Sequence, residues 1–205
     1  RNVVTVEDPV EYQIEGISQI QVKPQIGLGF AGLLRSILRQ DPDVVMIGEI
    51  RDVETARIAV QAALTGHLVI STLHTNSAAA AFTRLRDMGL EDYLLSAVLR
   101  GIVAQRLVRR LCPSCRRDEP MPEDVARRFG LDGNASDLRL YRAVGCPHCR
   151  HTGYRGREAI AELLLPDDEV RRLILSGADH RAVERAAMAN GMRTMLDAGV
   201  DAALA

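Results

Sequence analysis

The chain has 205 residues, of which 47% are hydrophobic and 26% charged, and its net charge at pH 7 is -1. This balance argues against a general attraction to nucleic acid or acidic lipid, and the lack of tryptophan argues against a stacking platform for single strands. There is no run of about 18 uncharged apolar residues, so the sequence predicts no membrane span, and no signal peptide stands at Arg1.

The first predicted element is a buried strand over residues 2–6, a short β-branched run that carboxylates follow at once. Glu7, Asp8 and Glu11 stand beyond its end, where they could hold a metal ion or polarise a water molecule. A solvated polar loop is the alternative for this stretch. Residues 20–22 suggest a short edge strand, which a proline two residues later ends.

The apolar run at residues 44–48 predicts the central strand of a parallel sheet. A proline separates it from a helix predicted over residues 30–39. Glu49, Arg51 and Asp52 appear together just beyond its carboxyl end, the edge at which parallel sheets carry functional groups. A carboxylate there can hold Mg2+ or activate a water molecule, while ordinary solvated charges are the alternative.

Helices alternate with these strands. They are predicted over residues 53–65 and 78–88, the first with Asp52 as N-cap and Gly66 at its C-terminal end. This alternation predicts an α/β fold with a parallel sheet. A longer helix is predicted over residues 92–111, and the three arginines of its last turns would suit the negative end of the helix dipole or face a neighbouring subunit.

Another buried strand is predicted within residues 67–76, with polar groups at both ends. Thr72 and His74 lie at or past its carboxyl end, the side on which parallel sheets bind ligands. His67 stands at its start. A lone histidine at a strand end is more often structural, so that alternative stays open for His74.

Two Cys-x2-Cys pairs separated by 30 residues predict a metal site. Four thiolates complete a tetrahedral coordination sphere, so we expect structural zinc and not disulfides, in a reducing cytoplasmic setting. A short helix is predicted between the pairs at residues 123–129, and further helices are predicted at 168–176, at 181–190 and from Arg193 onward. Asp167 and Asp179 are the expected N-caps of the helices at 168–176 and 181–190. The four ligands are Cys112, Cys115, Cys146 and Cys149.

Taken together, these stretches resemble the secretion ATPase superfamily in its GspE/PilB branch, over essentially all 205 residues. Residues 4–12 resemble the aspartate box of that family. Residues 38–52 resemble its atypical Walker B motif, with Gly48 where other ATPases place an aspartate. Residues 65–76 resemble its histidine box, and the four cysteines resemble its metal-binding insertion.

The resemblance implies a RecA-like P-loop NTPase core at residues 1–110, a tetracysteine zinc module at 111–152 and a C-terminal helical region at 153–205. In that core Glu49 would activate the attacking water and support Mg2+, and Glu7 would assist it. His74 would sense the γ-phosphate. The further residues of the implied nucleotide and Mg2+ site are Asp8, Glu11, Arg51, His67 and Thr72.

The sequence departs from the family in one respect. It contains no Gly-x4-Gly-Lys-Ser/Thr phosphate-binding loop, and its single lysine, Lys23, does not lie in a glycine-rich loop. Arg1 is not a start methionine, so we expect this chain to begin after that loop, as part of a longer protein. We therefore expect the chain alone to bind ATP weakly or not at all and to be inactive, since the lysine and amides that hold the phosphates are missing.

The resemblance implies a function in protein export. The chain would be part of a hexameric ATPase, cytoplasmic and peripheral to the inner membrane, that hydrolyses ATP with Mg2+ to power type II secretion through pseudopilus assembly. Its partners would be ATP, further copies of itself and inner-membrane platform proteins, with no nucleic acid. A type IV pilus assembly ATPase is the alternative. The cysteines argue against a pilus-retraction ATPase, and the three motifs argue against a non-catalytic zinc-ribbon module.

Overall fold

A parallel sheet of four strands forms the centre of the first half of the computed structural model, which describes residues 1–129 and 139–204. The strands lie in the order β2-β1-β3-β4, and each neighbouring pair is parallel. The predicted α/β class with a parallel sheet is therefore confirmed, and β2 lies at one edge, as predicted. The strand predicted within residues 67–76 lies at the other edge with Leu68 and Ile70 half-exposed, so its prediction as a buried strand is wrong. The strands are Val3–Glu7 (β1), Ser18–Gln21 (β2), Val44–Ile47 (β3) and Leu68–Ser71 (β4).

The hydrophobic core lies between this sheet and its first helix. Val6, Val45 and Ile47, on the two inner strands, are fully buried. The helix presents its apolar stripe to them, with Leu34 1% exposed at its centre. Burial of a side chain of this size contributes roughly 2 kcal/mol, so the stripe fixes the helix on the sheet. The helices of this half are Phe30–Ile37 (α1), Val53–Leu64 (α2), Ala80–Asp87 (α3) and Asp92–Val98 (α4).

The helix predicted over residues 92–111 is wrong in its second half. Helix α4 ends at Val98, Leu99 is extended, and strand β5 occupies Ile102–Leu111. Gly101 disfavours helix, and side chains at the start of β5 alternate between half-buried and exposed, which is the period of a strand. Strand β8, Tyr154–Leu164, provides the hydrogen-bonding partner for the backbone of β5. The residue pattern of the β5 segment by itself carries no information about this distant partner.

The three arginines of this segment consequently lie on a strand and not at a helix terminus, so the dipole interpretation is also wrong. The Arg109 guanidinium stacks 4.0 Å from the centre of the Tyr154 ring. Arg110 lies 3.6 Å from a carboxylate oxygen of Glu158. Both contacts join β5 to β8 through side chains.

The chain forms two compact units. The first contains Arg1–Ile102 and Leu164–Asn190, and the second contains Val103–Leu163 and Gly191–Ala205. The division into regions 1–110, 111–152 and 153–205 stays a prediction. Within the described residues, no helix is both long enough and apolar enough to cross a bilayer.

The C-terminal helices of the first unit begin at capping aspartates, as predicted. Asp167 accepts a hydrogen bond from the Val170 N–H at 2.8 Å, and Asp179 accepts one from the Ala182 N–H at 2.8 Å. Such caps satisfy backbone donors that the helix itself leaves unpaired. These helices are Asp168–Leu175 (α6) and His180–Ala189 (α7).

The second unit is built from short elements around the cysteine pairs. Besides β5 and β8 it contains one antiparallel ribbon, whose strands are 117–120 and 139–142. The predicted helix between the cysteine pairs is confirmed. The further elements among its described residues include Arg117–Pro120 (β6), Glu123–Arg128 (α5), Arg139–Arg142 (β7) and Met195–Leu204 (α8).

Candidate functional site

The chain segments just past β1, β3 and β4 lie side by side at the carboxyl edge of the parallel sheet. The Gly48 N–H donates to the Val6 carbonyl at 2.7 Å. The Thr72 hydroxyl donates to the Gly48 carbonyl at 2.5 Å. The Ile50 N–H donates to the Thr72 carbonyl at 3.1 Å. Three segments that lie far apart in sequence are thereby held side by side, at or just beyond the carboxyl ends of their strands.

Gly48 is where two of these segments approach most closely. A Cβ atom at this position would lie 3.3 Å from the Glu7 Cα and 3.3 Å from the Val6 carbonyl oxygen. A side chain would therefore push the backbone of β1 away from β3. With glycine at position 48, the chain that leads to Glu49 can lie directly beside the chain that leads to Glu7.

Glu49 lies at the centre of the candidate site. Its side chain is 14% exposed, and its two oxygens have different partners. Arg51 forms an ion pair with Oε1, and the His74 Nε2 lies 3.2 Å from Oε2. The Arg51 guanidinium lowers the pKa of Glu49, with a smaller contribution from His74, and outweighs the opposing effect of burial. The carboxylate is therefore ionised at neutral pH.

The two positive partners of Glu49 are themselves exposed. The Arg51 side chain is 63% exposed and the His74 ring 90% exposed. Glu49 raises the pKa of Arg51, chiefly through their hydrogen bond, and Asp8 adds a weaker electrostatic attraction. Because little packing restrains these side chains, they can turn toward an anionic ligand placed above Glu49.

Glu7 is held by neighbours that the sequence did not single out. Its Oε1 accepts from the Thr5 hydroxyl at 2.5 Å and from the Gln19 amide at 2.9 Å. Thr5 lies in the stretch that resembles the aspartate box but is not one of its predicted site residues, and Gln19 lies outside the three motifs. A threonine in a β-branched strand and a glutamine in an edge strand are ordinary residues, so only their placement reveals the contact.

The structure brings some predicted site residues together and separates others. Glu7, Asp8, Thr72 and His74 accompany Glu49 at the carboxyl edge. Glu11 is exposed in the loop between β1 and β2. His67 is not at this edge.

His67 precedes β4 and therefore lies at the opposite, amino edge of the sheet, about 16 Å along the strand from Thr72 at ~3.3 Å per residue. Its Nδ1 lies 2.9 Å from the Ala62 carbonyl and 3.1 Å from the Thr65 hydroxyl. These contacts close the C-terminus of α2. The assignment of His67 to the nucleotide site stays a prediction that the geometry of a single chain does not support.

The four cysteines gather into one cluster in the second unit. Their sulfur atoms all lie within 4.8 Å of one another, and three of the Sγ–Sγ distances are 3.8–3.9 Å. A disulfide needs about 2.05 Å, whereas four sulfurs around one ion at ~2.3 Å are separated by about 3.8 Å. The spacing therefore fits four thiolates around a single metal ion. The cysteines are all free.

Backbone amides surround these thiolates, as expected for a metal knuckle. Cys149 accepts from the N–H groups of Cys146 and Gly153, each at 3.2 Å. Burial acts to raise its pKa, but these amides together with hydrogen bonds from the Cys146 and Cys115 thiols outweigh that effect and lower the pKa to about 6. Burial raises the pKa of Cys115 to about 11, although the Gly145 N–H opposes it. The amides thus supply part of the electrostatic stabilisation that thiolate ligands require.

Comparison with known protein families gives a match along the whole chain. The family model described as "Type II/IV secretion system protein" matches residues 1–205. The chain is 60% identical over 186 residues to the type II secretion system ATPase E of Vibrio cholerae, covering 90% of this chain and 37% of that protein. It is 52% identical over 205 residues to the type IV pilus assembly ATPase PilB of Thermus thermophilus, covering 100% of this chain and 23% of that protein.

Solved structures show the same fold. The pilus retraction motor PilT with bound ADP has a TM-score of 0.60 and 28% identity, covering 96% of this chain and 51% of that one. The Legionella pneumophila ATPase DotB has a TM-score of 0.60 and 26% identity, covering 95% and 45%. The chain therefore spans about half or less of each of these relatives.

Proposed function

The chain belongs to the type II/IV secretion system protein family, and from that premise we propose that it supplies the water-activating part of an ATPase that powers type II secretion. The observation that carries the proposal is the ionised Glu49 carboxylate, held between Arg51 and His74 at the carboxyl edge of the sheet. A carboxylate in this state can orient and deprotonate a water molecule for attack on a phosphate.

The charges around Glu49 suit the chemistry of phosphoryl transfer. Negative charge grows on the transferred phosphoryl group and its leaving oxygen, and nearby cations stabilise it. Arg51 and His74 are exposed and can supply such contacts, while Glu7 and Asp8 add oxygen ligands of the type that Mg2+ prefers. Mg2+ would neutralise phosphate charge when ATP is bound.

The 205 residues contain no phosphate-binding glycine loop, so this site needs phosphate-holding groups that the chain itself does not provide. Strand β4 is an edge of the described sheet, and Leu68 and Ile70 on it are 49% and 50% exposed. Exposed apolar side chains on a parallel edge strand favour the addition of further protein there. That edge adjoins Thr72 and His74.

For the cysteine cluster we propose structural zinc. Four thiolates at tetrahedral spacing leave no open position for a substrate, which is typical of structural zinc sites. The ion would join two chain segments that are 30 residues apart. We also propose, from the family resemblance, that copies of the protein assemble as a hexamer on inner-membrane platform proteins at the cytoplasmic side.

Type II secretion is favoured over pilus assembly by sequence identity. The type II secretion proteins E of Vibrio cholerae and Aeromonas hydrophila are 60% and 57% identical to this chain, against 52% for the pilus assembly ATPase of Thermus thermophilus. Pilus assembly is the second candidate, because that last match extends over all 205 residues.

The test is Glu49→Gln in the natural full-length protein. The amide keeps the shape of the side chain but cannot take a proton, so nucleotide binding is retained and ATP turnover falls at least ~100-fold. Glu54→Gln is the matched control, since Glu54 is an exposed glutamate on α2 that also pairs with an arginine, Arg35. Turnover of Glu49→Gln at the wild-type rate would show that the proposed role of Glu49 is wrong.

A further inference from the structure

A single glutamine on the edge strand connects the candidate catalytic edge to the loop beside it. We infer that Gln19 is a positioning residue, which fixes the Glu7 carboxylate in the orientation that assists Glu49. The inference rests on the proposed ATPase function and assigns a role to a residue outside its three motifs.

The Gln19 amide makes three hydrogen bonds, one with each of three separate groups. Its Nε2 donates to the Glu7 Oε1 and to the Tyr12 carbonyl, both at 2.9 Å. Its Oε1 accepts from the Ile14 N–H at 2.7 Å. All of the donors of this amide are therefore engaged, and its carbonyl has a partner as well.

These partners determine which way the amide faces. If oxygen and nitrogen were exchanged, the Gln19 oxygen would face the Glu7 carboxylate and the Tyr12 carbonyl, and its nitrogen would face the Ile14 N–H. All three contacts would become repulsive. Only the observed orientation gives every donor and acceptor a partner. The backbone groups of Tyr12 and Ile14 therefore orient the Gln19 amide, and this amide orients the Glu7 carboxylate.

Strand register places Gln19 beside Glu7. In the parallel pair of β1 and β2, Thr5 is the partner of Gln19. Paired positions share a face of the sheet, and so do residues two apart on a strand, which places Thr5, Glu7 and Gln19 on one face. Thr5 is 6% exposed and its hydroxyl donates to the same carboxylate oxygen that Gln19 contacts.

The consequence is that the two oxygens of Glu7 differ. Within the described part of the chain, the hydrogen bonds to the Glu7 carboxylate all go to Oε1. Oε2 is the oxygen left for a water molecule or a hydrated cation at the edge that Glu7 shares with Gly48 and Glu49. A carboxylate restrained at one oxygen loses less rotational freedom when the other oxygen binds.

Residue type at position 19 is correspondingly restricted. An asparagine is shorter by one methylene group and cannot span the same three partners. A glutamate would keep the acceptor for the Ile14 N–H but would place negative charge against Glu7. A leucine is close in size and removes all three contacts.

The experiment measures steady-state ATP turnover of the natural full-length protein carrying Gln19→Leu or Gln19→Glu. We expect kcat to fall about 10-fold in both, with KM for ATP nearly unchanged, because a group that orients a reactive side chain acts on the chemical step. Gln13→Leu is the control and is expected to behave as wild type, since Gln13 is an exposed glutamine in the loop that precedes β2.

A double-mutant cycle separates positioning from simple stabilisation of the loop. If Gln19 acts through Glu7, adding Gln19→Leu to Glu7→Gln produces no further loss of kcat. Losses that multiply, or a normal kcat in Glu7→Gln, overturn the inference. If Gln19→Leu does not fold, Gln19→Glu in the same cycle decides, because it retains the bond to Ile14.

The result for Glu49 keeps the two proposals distinguishable. Loss of turnover in Glu49→Gln together with normal turnover in both Gln19 variants would overturn the role of Gln19 and leave the proposed ATPase function standing. Normal turnover in Glu49→Gln would overturn the role proposed for Glu49, whereas a full-length wild-type protein that does not hydrolyse ATP would overturn the ATPase assignment itself.

Discussion

Replacing Cys112 by serine removes one of the four sulfurs that hold two distant chain segments together. Cys112 is fully buried, and its Sγ lies 3.9 Å from the Cys146 Sγ, so a serine oxygen has no route to solvent and binds zinc more weakly than a thiolate. We expect the variant to lose the metal and to loosen residues 112–149.

The magnitude follows from the length of the closed segment. Thirty residues separate the two cysteine pairs, and a cross-link across such a segment removes about 3–4 kcal/mol of loop-closure entropy from the unfolded chain. The described residues between the pairs bury only two apolar side chains, Met121 and Ala126, so little packing replaces the cross-link. Loss of 3–4 kcal/mol raises the local opening constant by roughly 100- to 1,000-fold.

Hydrogen exchange measures this opening directly. The amides to follow are those bonded within the knuckles, such as the Cys115 and Arg116 N–H groups on the Cys112 carbonyl and the His151 N–H on the Cys146 carbonyl. Ser114→Ala is the control, because Ser114 is an exposed residue of the same knuckle. Wild-type metal content by atomic absorption, or unchanged exchange of these amides, would refute the argument.

Two further predictions concern the nucleotide site. Arg51→Ala in the full-length protein removes the guanidinium that lowers the pKa of Glu49, so the pKa of Glu49 rises toward its usual range. When the pH is lowered, Glu49 is then protonated earlier, and the variant loses turnover at a higher pH than the wild type does. A pH profile of kcat/KM with an unchanged acid limb would contradict the pairing. For the isolated chain of 205 residues we expect weak or undetectable ATP binding, since it contains no phosphate-binding glycine loop. Isothermal titration that gives micromolar affinity would show this to be wrong.

Several elements could be predicted because their determinants are local. The β-branched runs at β1, β3 and β4 predict strands from their own residues. Because these strands are parallel, the polar residues that follow each run lie together at the carboxyl edge of the sheet. The caps at Asp52, Asp167 and Asp179 depend on residues three positions away. The cysteine spacing likewise predicts a shared metal site without knowledge of the fold.

Residues 99–111 show where local patterns are insufficient. Their apolar side chains fit a helical spacing nearly as well as a strand alternation, and no capping residue separates the two alternatives. The outcome depends on β8, which begins more than 40 residues later and supplies the hydrogen-bonding partner. A pattern confined to one segment cannot include that partner.

The sequence alone determined the chemistry of this protein, namely the acids and histidine that follow predicted strands and the four thiolates in two pairs. Tertiary structure decided which of those groups meet. It places Arg51 and His74 in contact with the Glu49 carboxylate and Gln19 within hydrogen-bonding distance of Glu7. It also places His67 at the opposite edge of the sheet. The physical reason is that hydrogen bonds and ion pairs act over a few ångströms in space, and strand order and register bring residues to that distance whatever their separation along the chain.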